Sequence, residues 1–125
     1  MIAVRPGTLA DIDAMSDLLV ASITALCVED HHNRLFVAEH DGVTAATGGC
    51  NVKREIILNY VSPEHRFAGM SSALLGAMEA ALGPGEATLT STVTARRFYL
   101  ARGWSDAGAV ERYAGMIAYP MRKML

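Results

Sequence analysis

The sequence is poor in cysteine, in long apolar runs and in net charge. Its two cysteines, Cys27 and Cys50, are too few and too far apart for a disulfide framework or a zinc site. No apolar run reaches the roughly 18 residues that a membrane-spanning helix needs. The N terminus also lacks the basic and apolar segments of a secretory signal. These absences predict a cytoplasmic protein with no membrane partner and no metal site.

The charge balance argues against a nucleic-acid partner. Lys and Arg number 11 against 13 Asp and Glu, which gives a net charge of −2, whereas binding through bulk charge needs an excess of positive residues. A local basic patch is left open. The chain does have apolar material, with 51% hydrophobic and 19% charged residues in 125. We therefore expect a single α/β or α+β domain over residues 1–125.

Hydrophobic periodicity predicts the order β-α-β-β-β-α-β-α-β. Strands are expected at 2–5, 35–40, 43–52, 55–61, 87–91 and 116–121, with an extra strand around 104–107, and helices at 8–27, 71–82 and 94–102. Asp41-Gly42 is a strong signal for a tight turn between antiparallel strands. The helical crossover after 55–61 predicts that this strand pairs in parallel with 87–91. Pro120 predicts that the last strand lies at an edge or ends there.

One turn from strand to helix, within residues 60–75, has the composition of an anion site. It contains Arg66 and Gly69, with small residues at 68, 69, 71 and 72 that let an anion approach the backbone. The first N–H groups of a helix have no intrahelical partner and lie at the positive end of its dipole. The turn therefore suits a phosphate or pyrophosphate. The alternative is an ordinary turn whose glycine serves backbone geometry.

The same stretch resembles the central motif of the GNAT superfamily of N-acetyltransferases. That motif reads Gln/Arg-x-x-Gly-x-Gly/Ala after Val-x-Pro, and here stand Val61-Ser62-Pro63 and Arg66-x-x-Gly69-x-Ser71. Residues 92–104 resemble the helix in which the family has Asn, Ala, Tyr and Gly-Phe in this order. Tyr99, Gly103 and Trp104 are in register, and Thr92 stands where Asn is common.

The resemblance implies a single GNAT-type α/β (α+β) domain. Its mixed central sheet would have an antiparallel N-terminal meander and a splayed parallel pair, with helices on both faces. The implied activity is acetyl transfer from acetyl-CoA to a primary amine by direct attack, without a metal. The amine acceptor is a small molecule or a peptide that the sequence does not identify. A homodimer is one option that the sequence leaves open.

The resemblance also implies which residues hold the acetyl-CoA. The pantetheine arm would bond to the backbone of Asn59, Tyr60 and Val61, and the pyrophosphate would lie on the turn that opens the following helix. The cofactor-binding residues implied in this way are Asn59, Tyr60, Val61, Arg66, Phe67, Ala68, Gly69, Met70, Ser71, Ser72 and Thr92.

Two residues are implied to act in catalysis. Tyr99 aligns with the tyrosine that protonates the departing CoA thiolate as a general acid, and the alternative is an aromatic side chain that packs beside Phe98. Glu55 stands where histone-type relatives carry a glutamate base, and the alternative is a solvated charge at a strand end. The first predicted helix is followed by the polar residues Asp30, His31 and His32. The resemblance places them in the region that shapes the acceptor site of the family, where one of them would bind or deprotonate the amine, and the alternative is a plain polar loop. The last predicted helix has a basic face formed by Arg96, Arg97 and Arg102. This face is either solvated or in contact with the ribose 3′-phosphate of CoA.

Family members usually have two helices before the Leu35 strand, and this sequence has room for one. Either the chain is a minimal form with an open acceptor cleft, or a segment between Glu29 and Arg34 is missing from the sequence. The competing functional interpretations are a non-catalytic acyl-CoA-binding sensor and a generic phosphate-binding regulatory domain.

Overall fold

The computed structural model describes residues 2–7, 33–62, 65, 69–113 and 115–125. Within these ranges the chain forms eight strands and two helices. They are β1 (Ile2–Pro6), β2 (Arg34–His40), β3 (Val43–Cys50), β4 (Glu55–Val61), α1 (Met70–Leu82), β5 (Glu86–Thr92), α2 (Val93–Leu100), β6 (Ser105–Asp106), β7 (Glu111–Tyr113) and β8 (Met116–Met124). Neither described helix is long and apolar enough to cross a membrane.

The strands form one mixed sheet in the order β1-β2-β3-β4-β5-β8-β6, with β7 also paired to β8. The first four strands are antiparallel neighbours, as predicted. Asp41 and Gly42 connect β2 to β3 with φ values of 52° and 84°, and positive φ at both central residues is typical of the tight hairpin turn expected there. The β3–β4 register shifts between Gly49 and Cys50, which marks an irregularity in the pairing of these two strands.

The parallel pair of β4 and β5 opens after a short contact. Glu55 pairs with Thr88 and Ile56 with Leu89, and no later residue of β4 pairs with β5. The space between residues 57–61 of β4 and residues 90–92 of β5, called the β4–β5 gap below, therefore leaves backbone groups of both strands unpaired. This splayed parallel pair confirms the fold class predicted from the sequence.

Arg54 holds the closed end of the gap together. Its guanidinium donates to the carbonyl oxygens of Leu82 at 2.7 Å, Gly83 at 2.8 Å and Glu86 at 2.9 Å. The end of α1 and the start of β5 are thereby tied to the turn that precedes β4. Because both strands are fixed at this end, their divergence is confined to the other end.

Both helices contribute to one buried core against the sheet. The buried residues of α1 are Met70, Leu74, Leu75 and Met78, and that of α2 is Tyr99. Gly48 of β3 makes room for Met78, since a Cβ at Gly48 would lie 3.0 Å from the Met78 sulfur. Trp104 is buried beside α1, where its indole N–H donates to Glu79 Oε1 at 3.1 Å. The core thus fixes α1 and α2 relative to each other.

The prediction that Pro120 places β8 at an edge or ends it is wrong. β8 continues to Met124, with β5 on one side and β6 and β7 on the other. The Pro120 carbonyl accepts a hydrogen bond from the N–H of Ala107 at 2.8 Å. In an antiparallel strand, the N–H and the C=O of any one residue point toward the same neighbouring strand. The nitrogen of Pro120, which carries no hydrogen, therefore faces residues 107–110. Pairing is interrupted there between β6 and β7, so the β5–β8 ladder loses no bond.

Several predictions concern residues outside those that the structure describes. They are the helix at 8–27, the missing segment between Glu29 and Arg34, and the acceptor-site roles of Asp30, His31 and His32. The placement of helices on both faces of the sheet depends on the first of these and stays a prediction.

Candidate active site

A cavity of about 630 Å³ lies where β4 ends, α1 begins and α2 passes beside them. It is therefore at the open side of the β4–β5 gap. Its lining consists of Asn59, Tyr60, Val61, His65, Gly69, Met70, Ser71, Ser72, Thr94, Ala95, Phe98, Tyr99 and Arg102.

The N terminus of α1 forms one wall and has donors without a partner inside the helix. Gly69 is the N-cap residue with φ 81°, no side chain caps the helix, and its first turn has no acidic residue. The first backbone bond within the helix runs from the N–H of Ala73 to the carbonyl of Gly69 at 3.1 Å. The N–H groups of residues 70–72 therefore have no intrahelical partner and can bind an anion.

Gly69 is required by its backbone conformation rather than by crowding. A Cβ at this position would contact only the Ile2 side chain, at 3.9 Å. The left-handed φ of 81° is the reason for the glycine, since an L side chain adopts it at a cost of about 1–2 kcal/mol.

The Tyr99 ring is packed against other aromatic side chains, and its hydroxyl takes part in a hydrogen bond. The residue is 7% exposed, and its ring makes edge contacts with Phe98 at 5.1 Å and Trp104 at 6.1 Å. The hydroxyl oxygen accepts a hydrogen bond from Asn59 Nδ2 at 3.4 Å. Burial raises the Tyr99 pKa above its ordinary value, while the hydrogen bond from Asn59 acts in the opposite direction. Tyr99 therefore carries its proton at neutral pH, which a general acid requires.

Two further polar atoms of the cavity wall have no partner among the described residues. They are Asn59 Oδ1 and His65 Nδ1, and both are buried. The His65 ring packs edge-on against His40 with a centroid distance of 5.6 Å. A buried polar atom without a partner costs about 1–3 kcal/mol, so these two atoms lower the stability of the cavity wall.

The structure brings most of the sequence-predicted site residues together. The predicted residues that line the one cavity are Asn59, Tyr60, Val61, Gly69, Met70, Ser71, Ser72 and Tyr99. Arg66, Phe67 and Ala68 lie outside the described residues, so their roles stay predictions.

Glu55 and Thr92 do not line the cavity. The Glu55 carboxylate accepts a hydrogen bond from Asn51 Nδ2 at 3.0 Å, and Glu55 precedes Asn59 by four residues, about 13 Å along a strand. The Thr92 hydroxyl accepts from the N–H of Ala95 at 3.2 Å and caps α2. The catalytic role of Glu55 and the cofactor role of Thr92 therefore stay predictions without a place in the cavity wall.

The sequence reasoning did not include four lining residues, namely His65, Thr94, Ala95 and Phe98. Ala95 was detectable, since it occupies the alanine position of the resembled helix. Phe98 was detectable from spacing, because it lies one turn before Arg102 on the same helical face. His65 carries no pattern beyond its place next to Arg66.

The described residues contain no group of three or more His, Cys, Asp or Glu side chains placed to hold a metal ion.

Comparison with known proteins identifies the family and the fold. Residues 13–125 match the family model described as "Acetyltransferase (GNAT) domain". A search of curated proteins finds no match.

Solved structures resemble the chain over nearly its whole length. One is the ribosomal-protein-S18-alanine N-acetyltransferase of Escherichia coli, with a TM-score of 0.83, 19% identity, and coverage of 99% of this chain and 94% of that chain. Another is Arabidopsis thaliana Naa50 in complex with the bisubstrate analogue CoA-Ac-MVNAL, with a TM-score of 0.77, 12% identity and 99% of each chain covered. The PaiA N-acetyltransferase of Thermoplasma acidophilum in complex with coenzyme A has a TM-score of 0.74 and 15% identity, with 100% and 99% covered.

Proposed function

The chain belongs to the GNAT acetyltransferase family, and we propose that it transfers an acetyl group from acetyl-CoA to a primary amine. One observation carries this proposal. The β4–β5 gap opens into a cavity that has the protonated hydroxyl of Tyr99 on one wall and, on another, the N–H groups of α1 that have no partner within the helix. This arrangement suits a long substrate with a phosphate end and a reactive thioester end.

The two ends of the cavity differ in what they can bind. The N–H groups of residues 70–72 and the positive end of the α1 dipole suit the pyrophosphate. The backbone of residues 59–61 of β4 has no strand partner across the gap, so its groups are available to the amides of a pantetheine arm. An extended arm added in this way would bond as a strand does.

The chemistry requires a proton for the leaving sulfur. The neutral amine attacks the thioester carbonyl carbon, a C–N bond forms, and the C–S bond breaks. The thiolate takes the proton of the Tyr99 hydroxyl, and the excess proton of the new amide passes through solvent to restore the phenol. Asn59 donates to the Tyr99 oxygen, so the phenolic proton points away from Asn59 and the phenolate that forms is stabilised.

The proposal of a primary amine as acceptor is supported by the names of two similar structures, and no described side chain of this protein bears on it. The Escherichia coli relative is named as an N-acetyltransferase of an alanine in a ribosomal protein, and the Arabidopsis relative holds an analogue that joins CoA to a peptide. These names favour a primary amine of a peptide or small molecule. Oligomeric state, including a homodimer, is a separate question for a sizing measurement.

A thiol-release assay on a panel of amines tests the proposal. Acetyl-CoA is mixed with the purified protein and with N-terminal peptides, lysine, polyamines, aminoglycosides or amino-acid derivatives, and free CoA is followed with a thiol reagent. We expect amine-dependent release with at least one class. Binding of acetyl-CoA without release on any amine would favour the acyl-CoA-binding sensor. Absence of acetyl-CoA binding would contradict the proposal.

A further inference from the structure

Two arginines of the last helical segment have contrasting surroundings. Arg96 in α2 forms a two-point ion pair with Asp106, with Nε 3.1 Å from Oδ1, and its guanidinium lies 5.0 Å from the Tyr119 ring centroid. Arg102 follows α2 and has no carboxylate partner among the described residues. Arg102 lines the cavity, and Arg96 does not.

The Arg102 guanidinium is fixed in place without being neutralised. It lies 3.7 Å from the Phe98 ring centroid, and its Nη1 donates to the Phe98 carbonyl at 3.0 Å. Its Nε and Nη2 both donate to Ser72 Oγ, at 2.9 and 2.6 Å. A guanidinium has five N–H groups. The bonds to Phe98 and Ser72 use three of them, so two are left as donors for a ligand. The side chain is therefore an oriented and uncompensated cation.

Ser72 is oriented by the same contacts. A hydroxyl oxygen has two lone pairs and one proton. Since Ser72 Oγ accepts two bonds from Arg102, the Ser72 proton is directed away from Arg102 and can be donated to another acceptor. Ser72 lies in the first turn of α1 and lines the same cavity. Arg102 and Ser72 together present a positive charge and N–H and O–H donors at one place in the cavity wall.

We propose that Arg102, positioned by Ser72 and Phe98, binds a phosphate group of the CoA substrate in this cavity. The inference rests on the proposed function, because that function supplies the phosphate-bearing ligand. A planar guanidinium with free N–H donors is well matched to phosphate oxygens. The pyrophosphate and the ribose 3′-phosphate share this chemistry, and the two sources are separable by experiment.

Isothermal titration of the full chain with CoA tests the role of Arg102. In Arg102→Met the apolar stem still covers Phe98, while the charge and the donors are lost. We expect CoA to bind at least about tenfold more weakly than to the wild type. Arg96→Met removes a cation from the same helical segment and is the matched control, with an expected change below about threefold. Equal effects of the two substitutions, or unchanged affinity in Arg102→Met, would overturn the inference.

Dephospho-CoA, which lacks the 3′-phosphate, assigns the phosphate group. If Arg102→Met weakens both ligands equally, Arg102 binds the pyrophosphate; if it weakens only CoA, Arg102 binds the 3′-phosphate. Circular dichroism and thermal melting establish that each variant is folded. Should Arg102→Met not fold, Arg102→Gln keeps a polar head that reaches Ser72, and unchanged CoA affinity in that variant would overturn the inference. Failure of the wild type to bind CoA would instead contradict the proposed function itself.

Discussion

Replacement of Tyr99 by Phe removes one hydroxyl and keeps the aromatic packing. The phenylalanine ring keeps the contacts with Phe98 and Trp104. The hydrogen bond that is lost, from Asn59 to the hydroxyl oxygen, is long at 3.4 Å. We therefore expect the free energy of unfolding to fall by less than about 1.5 kcal/mol. Loss of a general acid costs about 10²-fold or more in kcat, which corresponds to about 2.7 kcal/mol of transition-state stabilisation. The KM for acetyl-CoA should stay within about twofold, since the hydroxyl acts on the leaving sulfur rather than in binding.

The assay is steady-state CoA release with a responsive amine, and Tyr60→Phe is the matched control. Tyr60 also lines the cavity, and its hydroxyl has no hydrogen bond within the described structure. Its removal should therefore change kcat by less than about threefold. Equal kcat in Tyr99→Phe and the wild type would refute the general-acid role and make Tyr99 a packing residue. An equal loss in both variants would also refute it.

The pH dependence follows from the direction of the Tyr99 shift. Burial raises its pKa above the ordinary value of 10.0, so the acid form persists through neutral and moderately alkaline pH. The wild-type kcat should therefore rise as the amine loses its proton, without an alkaline decline due to Tyr99 below about pH 10. Because the Tyr99 pKa is higher in the folded than in the unfolded protein, its protonated form contributes to the free energy of unfolding. This contribution is complete below the unfolded-state pKa and is lost as the pH rises through the folded-state pKa.

Substitutions at Gly69, Glu55 and Thr92 separate the backbone, base and capping roles. Gly69→Ala should lower the free energy of unfolding by about 1–2 kcal/mol because of the positive φ, as measured by urea denaturation, and it should also weaken CoA binding if α1 begins differently. Gly76→Ala, in the same helix at a site with nothing within 4 Å of the added Cβ, should not destabilise. Glu55→Gln keeps an acceptor for Asn51 and should retain kcat/KM within about threefold, whereas a loss of 10²-fold or more with a changed acid limb of the pH profile would establish Glu55 as the base. Thr92→Ala should cost about 1 kcal/mol in thermal stability by removing the cap of α2, while Thr92→Ser keeps it. A raised KM for acetyl-CoA in the folded Ser variant would support the cofactor role of Thr92.

The sheet could be predicted where local signals and chain connectivity agree. Asp41-Gly42 fixes a hairpin through its two positive φ values, and the helical crossover from β4 to β5 requires a parallel pair. Pro120 was misleading because its effect depends on which neighbour its missing N–H faces, and that depends on the break between β6 and β7. β7 was not predicted, since three residues are too few to show a period.

The residues of the cavity could be predicted from motifs, but the contacts between residues far apart in the sequence could not. The motif spacing identified the turn around Gly69 and the position of Tyr99, because both have local sequence signals. The contact between Asn59 and Tyr99 joins residues 40 positions apart, and that between Ser72 and Arg102 spans 30. Such pairs arise from the packing of α1 and α2 on one core, which no local pattern encodes. For the same reason the sequence did not distinguish Arg96 from Arg102.

A crystal structure of the protein with CoA tests the binding mode and the role of Tyr99 in one measurement. We expect the pantetheine arm to lie in the β4–β5 gap along residues 59–61, with the pyrophosphate in hydrogen-bond contact with N–H groups of residues 70–72. The CoA sulfur should then lie within hydrogen-bond reach of the Tyr99 hydroxyl, at roughly 3–3.5 Å. CoA bound outside this cavity would contradict the proposed binding mode, and a sulfur separated from Tyr99 by other side chains would contradict the general-acid role of Tyr99.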